Sequence, residues 1–199
     1  IGMVATNVYL GINMETKEAF LVDPADREED IAQWIRQDGV TLKAILLTHG
    51  HFDHIGAVSG LKKKFQVPVY AMGAEAVVME DSTLNLSANW ASAFTVKCDH
   101  ELTDEEKFQV AGFDIVAYHT PGHTKGGACY YIEEEQVLFS GDTIFCHSVG
   151  RTDLPTGSMG ELRRSVQRML QILPDATRVM PGHECDTSIA DEKRYNPYS

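Results

Sequence analysis

No apolar run in this chain approaches the roughly 20 residues that a membrane-spanning helix needs. The opening Ile1-Gly2-Met3-Val4 also lacks the charged start and long apolar stretch of a secretory signal. A cytoplasmic protein is expected. Cations are scarce too, with 17 Lys+Arg against 29 Asp+Glu and a formal charge of −12. Nucleic acid and anionic membrane surfaces both demand a basic footprint, so neither is expected as a partner. Cysteine is sparse and scattered: Cys98, Cys129, Cys146 and Cys185 form no C-x-x-C pair, which reads as reduced thiols rather than a disulfide framework. Cys146, close in sequence to Asp142, is expected to be a small buried hydrophobe.

Histidine is concentrated instead. Thr48-His49-Gly50-His51-Phe52-Asp53-His54-Ile55-Gly56 packs three imidazoles and a carboxylate into six residues. Neutral imidazole nitrogen and carboxylate oxygen are ligands that Zn²⁺ and Fe accept, and alternate residues leaving a strand end can aim two side chains at one ion. His49 and His51 suit that role. Asp53 and His54 are displaced from the first pair and suit a neighbouring ion, so the spacing suggests two metals.

With 43% hydrophobic residues over 199 positions, the chain can bury a full core, and a single domain over 1–199 is expected. Residues 7–12 and 18–24 read as a hairpin, and 27–38 as an amphipathic helix carrying Ile31, Trp34 and Ile35 on its apolar face. Residues 44–48 form an almost fully apolar strand of the buried kind that delivers the histidines. A helix over 55–65 ends in Lys62-Lys63-Lys64, a solvated end that suits the helix dipole. A strand at 68–72 and a short helix at 74–79 precede a polar stretch, 80–92, that names no ligand. Trp90 and Phe94 read as packing residues, and His100 as an ordinary polar histidine in a turn. Strands follow within 108–118, at 128–132 and at 137–143. Ser158 and Glu161 form a capping box for a helix stopped before Pro174, 178–180 is a last strand, and 188–195 suits a final helix.

His123, Asp142 and His183 each follow one of these strands, as the first cluster does. Loops gathered at one edge of strands are where α/β proteins place chemistry. The ordered set T-H-x-H-x-D-H (48–54), P-G-H-T (121–124), S-G-D-T (140–143) and P-G-H-E (181–184) resembles the metallo-β-lactamase-fold superfamily, and within it the glyoxalase II (hydroxyacylglutathione hydrolase) branch. The resemblance covers nearly the whole chain. It implies an α/β (α+β) αββα sandwich, two mixed sheets packed face to face between helices, with a dinuclear site at one edge. It further implies that His49, His51 and His123 bind one divalent ion, that Asp53, His54 and His183 bind a second, and that Asp142 bridges them. Zn²⁺ is expected at both positions, with Fe or Mn as alternatives.

Such a pair of ions lowers the pKa of a shared water and polarises a carbonyl, so the implied reaction is hydrolysis of a small hydroxyacyl thioester such as S-lactoylglutathione by a metal-bridging hydroxide, with Asp53 and Asp142 as the catalytic carboxylates. Only 16 residues follow His183, so the C-terminal helical domain through which glyoxalase II proper contacts glutathione is not expected. Residues 148–155, SVGRTDLP, resemble the short bacterial glyoxalase II-like hydrolases and also the persulfide dioxygenases, which use one iron. A mononuclear-iron dioxygenase is therefore the alternative, and a non-catalytic metal-binding module a second. Arg151 is either a brace to Asp153 or a contact for an anionic substrate group.

Overall fold

The structure, a computed structural model, describes residues 1–90 and 92–199. An antiparallel hairpin, β1 (Tyr9–Ile12) and β2 (Glu18–Val22), opens the chain and leads through α1 (Glu28–Gln37) into β3 (Thr41–Leu46). Two short helices, α2 (Phe52–Ile55) and α3 (Val58–Phe65), precede β4 (Val69–Met72). A 3₁₀ turn (Gly73–Glu75), α4 (Ala76–Met79) and α5 (Ser87–Trp90) then lead to β5 (His100–Leu102). These strands make a mixed sheet in the order β1-β2-β3-β4-β5, antiparallel at the hairpin and parallel elsewhere.

The second half contains β6 (Glu106–Val110), β7 (Phe113–His119), β8 (Ala128–Ile132), β9 (Val137–Gly141), α6 (Met159–Ile172), β10 (Arg178–Pro181), β11 (Thr187–Ser188) and α7 (Ile189–Tyr195). Its sheet runs β11-β10-β9-β8-β7-β6, with β9 and β10 parallel across the α6 crossover.

The two-residue period of the strands sorts their apolar side chains into layers. On β2 and β3, Leu21 and Ile45 face the cluster that packs Ile31, Ile35 and Leu61 of α1 and α3 against the first sheet. Phe20, Val22, Ala44 and Leu46 face the opposite way, into a core shared with Ile115, Ala117 and Tyr130 of the second sheet. The outer face of the second sheet, with Cys129, Leu138 and Val179, is covered by Leu162, Val166 and Met169 of α6. The result is an α/β fold of two mixed sheets between helices, αββα.

Local differences from the sequence reading have physical reasons. The strand expected at 44–48 lies earlier, because the Thr48 N–H leaves the ladder to bond Asp23 Oδ1 at 2.8 Å. The helix expected over 55–65 breaks at Gly56, where a Cβ would lie 2.2 Å from the Ala25 carbonyl oxygen and the next N–H bonds Pro24 instead. Trp34 is not on the buried face of α1: it is 45% exposed, and Ala32 joins Ile31 and Ile35 inside. His100 opens β5 rather than standing in a turn, and its ring stacks on Tyr70. The polar stretch 80–92 contains the short helix α5. Cys146 is only half-buried rather than a core residue.

Because β7 and β9 are both antiparallel to β8, and β9 is parallel to β10, these three strands run the same way and release their loops at one edge. Tyr130 Oη of the second sheet donates to the Leu47 carbonyl at 2.7 Å, and Ala128 N–H donates to Thr48 O at 2.8 Å, so the end of β3 is tied to that same edge.

Candidate metal centre

His49, His51 and His123 meet at this edge, as do Asp53, His54 and His183, with the ligand-type atoms of each triad within 4.8 Å of one another. In the first triad His51 Nδ1 lies 2.9 Å from His123 Nε2; in the second, His54 Nε2 lies 3.3 Å from His183 Nε2. Asp53 Oδ2 stands 3.6 Å from His54 Nε2 and 3.4 Å from His183 Nε2. Asp142 touches both groups, its Oδ1 3.4 Å from His54 Nε2 and its Oδ2 3.4 Å from His123 Nε2 and 3.6 Å from His183 Nε2.

The surrounding hydrogen bonds determine which nitrogen of each ring faces inward. Thr48 Oγ1 spends its one hydrogen on Asp23 Oδ2 at 2.6 Å, so towards His49 Nδ1, at 3.2 Å, it can only accept. His49 Nδ1 therefore carries the proton, and Nε2 presents a bare lone pair. His54 Nδ1 donates to the same Asp23 Oδ2 at 2.9 Å, and His123 Nδ1 donates to the Arg151 carbonyl at 2.7 Å. All three rings thus turn Nε2 toward the cluster, the arrangement in which outer carboxylates and carbonyls orient metal-binding imidazoles.

Those inward atoms fit divalent cations. His51 differs, turning Nδ1 toward His123 Nε2, and among the inward atoms His49 Nε2 and Asp142 Oδ1 are buried without any hydrogen-bond partner, a costly state for polar atoms in a protein interior. Ligand atoms about 2.0–2.1 Å from a tetrahedral ion lie about 3.3 Å apart, and most of the separations above cluster around that value. Facing lone pairs at such distances repel one another unless a cation or proton stands between them.

Burial, reinforced by the neighbouring histidines, pushes His49 well below its ordinary pKa and His51 to about 3, so both are neutral donors. Burial also opposes charge on His54 and His183, but Asp53 and Asp142 outweigh it and raise both. Burial would lift the two aspartates, yet the histidines prevail: Asp142 falls to about 2 and Asp53 lower still. Both carboxylates are ionised at neutral pH.

Several residues that hold the site carried no sequence signal. Asp23, in a left-handed conformation at φ 48°, anchors Thr48 and His54 at the end of β2. Glu75, fully buried, accepts from Gly50 N–H at 2.7 Å, Gly126 N–H at 2.7 Å and Thr124 Oγ1 at 3.0 Å, so one carboxylate ties the His49–His51 loop to the His123 loop. Thr6 Oγ1 donates to Asp53 Oδ2 at 3.2 Å, and Asn7 Nδ2 donates to the carbonyls of Pro181 and Glu184 around His183. Arg151 is drawn away from the cluster: its guanidinium grips the Asp153 carboxylate through two bonds of 2.7 Å, and only its carbonyl serves the site, through His123.

The model of the metallo-β-lactamase superfamily matches residues 1–183. The chain is 33% identical over 189 residues to the hydroxyacylglutathione hydrolase GloC of Haemophilus influenzae, covering 92% of this chain and 88% of that protein. Among solved structures it is similar to the BLEG-1 B3 metallo-β-lactamase, with TM-score 0.94 and 40% identity over 100% of this chain and 96% of the other. It is also similar to TTHA1623 in a di-iron-bound form, with TM-score 0.87 and 35% identity over 100% of this chain and 98% of the other.

Proposed function

The chain belongs to the metallo-β-lactamase superfamily, whose members are generally hydrolytic, and from that premise we propose a glyoxalase II-like thioester hydrolase acting on a small hydroxyacyl thioester such as S-lactoylglutathione. The observation that carries this reading is the pair of triads joined by Asp142, with His49 Nε2 and Asp142 Oδ1 buried there without hydrogen-bond partners. In it His49, His51 and His123 would hold one divalent ion and Asp53, His54 and His183 the other, with Asp142 contributing to both. Bound there, two such ions supply Lewis acidity, acidifying a water and polarising an acyl carbonyl. The donor set suits Zn²⁺, and the di-iron form of the TTHA1623 neighbour supports Fe as the alternative.

The chain's own groups supply orientation and proton handling. Asp53, ionised and partly open to solvent, accepts a hydrogen bond from the attacking water and aligns it. Hydrolysis then forms one C–O bond and breaks the C–S bond, giving a carboxylate and a thiol. The sulfur leaves readily as a thiolate, without a strong general acid, and then takes up the proton released by the attacking water, which matches a site whose histidines are committed to the cluster.

Protein loaded with Zn²⁺ should release thiol from S-lactoylglutathione, and Asp142→Ala should lose both ions and the activity together. Retention of one ion at full occupancy in Asp142→Ala would contradict the bridging role, and absence of thiol release would remove the hydrolase reading. The similarity to BLEG-1 favours one second reading, hydrolysis of a β-lactam amide by the same residues, which a parallel assay with a chromogenic cephalosporin tests. Oxygen uptake with glutathione persulfide at one iron per chain, without thioesterase activity, would replace both with the dioxygenase.

A further inference from the structure

Beside Asp53 the surface opens into a groove of about 250 Å³ whose walls are Ile1, Met3, Ala25, Phe52, Trp90 and Phe94. A volume of this size holds one arm of a small molecule, since whole-ligand sites run from about 300 Å³ upward. Two of its wall residues are unusual for a surface: Met3 is 75% exposed and Trp90 61% exposed, although both are large and apolar. Trp90 therefore does not fill the packing role expected of it, whereas half-buried Phe94 packs against the core beneath the first sheet.

The wall that carries Trp90 is fastened at both ends. Asn85 O accepts from Phe52 N–H at 2.8 Å, Asn85 Nδ2 donates to Phe94 O at 2.8 Å, and Ser87 Oγ bonds both the N–H and the carbonyl of Phe94 at 3.0 Å. The same carboxylate, Asp53, borders the groove and belongs to the second triad, so the groove continues directly from the metal centre.

Charge decides what can lie there. The charged side chains lining the groove are Asp26 and Asp53, and no Lys or Arg stands among the described lining residues. Arg151, the anchor for an anion that the sequence suggests, does not line the groove and is paired with Asp153. We propose that this groove is the subsite for an uncharged, apolar arm of the substrate, laid against Trp90, Phe52 and Phe94 with the reacting carbonyl at the triads. The proposal rests on the hydrolase reading and narrows its substrate class: a thioester with an aliphatic or aromatic arm is preferred over one whose groove-side arm carries a carboxylate.

The test uses the full chain loaded with Zn²⁺ and one uncharged thiol carrier, N-acetylcysteamine. Its S-hexanoyl thioester should be cleaved with a kcat/KM about tenfold above that of the S-acetyl thioester, the gain expected when about two of its extra methylenes leave water. Trp90→Ala should abolish that ratio, chiefly through KM. Equal kcat/KM for the two esters, or a ratio unchanged in Trp90→Ala, would overturn the subsite. Binding is read separately from turnover: with two tryptophans in the chain, Trp34→Phe leaves Trp90 as the sole reporter, and titration with the thioether S-hexyl-N-acetylcysteamine should shift its emission saturably. A saturable shift without cleavage of any thioester would sink the hydrolase reading and keep the groove. Cleavage of thioesters with no shift would keep the hydrolase and sink the groove.

Discussion

Gly182 cannot carry a side chain where it stands. A Cβ would lie 2.3 Å from Asp142 Oδ1 and 2.7 Å from His54 Cε1, which explains why a glycine must separate Pro181 from His183. Gly182→Ala should therefore displace Asp142 and weaken metal retention by about 10- to 100-fold, the usual size of a disturbed ligand support. Elemental analysis after dialysis measures this, and wild-type stoichiometry in the variant would refute the crowding argument. Arg151 makes the opposite case, for its guanidinium and its Asp153 partner are mostly solvent-exposed. Exposed pairs contribute little. Arg151→Ala should melt close to wild type and keep its metals, because the carbonyl that holds His123 remains. A large fall in melting temperature would show that the fork braces the loop.

Among the elements, the 3₁₀ turn between β4 and α4 matters most to the site, since it places Glu75 between two ligand-bearing loops. Glutamine at this position keeps the shape but sets an NH₂ group against backbone N–H donors. Glu75→Gln should cost roughly 1–3 kcal/mol of stability, from a buried donor left unpaired, and about tenfold in metal affinity.

The same residue predicts a pH dependence. Burial, only partly offset by its three hydrogen bonds, lifts the Glu75 carboxyl from 4.5 to about 7. Between those values the unfolded chain has released a proton that the folded protein still holds, so stability falls as pH rises through this window. At about 1.4 kcal/mol per pH unit, the decline approaches roughly 3 kcal/mol near pH 7. Subtracting the Glu75→Gln stability, measured by urea unfolding at each pH, isolates this contribution from the depressed aspartates, which titrate lower and with opposite sign. A flat difference would mean that the carboxyl is ionised throughout.

For the whole molecule, the two sheets and the candidate metal centre should behave as one thermodynamic unit, because the candidate ligands come from loops after β3, β7, β9 and β10. Cations that bind only the folded arrangement must stabilise it by mass action, about 2.7 kcal/mol at a hundredfold excess over the dissociation constant. Melting temperature should climb with added Zn²⁺ and fall after chelation, as calorimetry would read directly. Insensitivity to both would separate the centre from the fold's stability. No helix among the described residues is long and apolar enough to cross a membrane.

The chain's order of residues already contained the ligand-type side chains and the strands that deliver them. His49, His51, Asp53 and His54 follow an apolar run, while His123, Asp142 and His183 each follow a recognisable strand, and glycine before His183 reports a close approach. The αββα layering was legible only through the resemblance of the four motifs to the superfamily, since continuous apolar runs such as Phe20–Val22 and Ala44–Leu46 mark strands buried on both faces without saying what covers them. Asp23, Glu75, Thr6 and Asn7 were not legible, because their partners lie 25 to 177 residues away in sequence and such contacts leave no periodic trace. Nor could the sequence tell that Arg151 would serve through its carbonyl, or that Trp90 would face solvent beside Asp53. Those outcomes depend on where loops from two separate sheets come to rest, and only packing of one sheet on the other decides that.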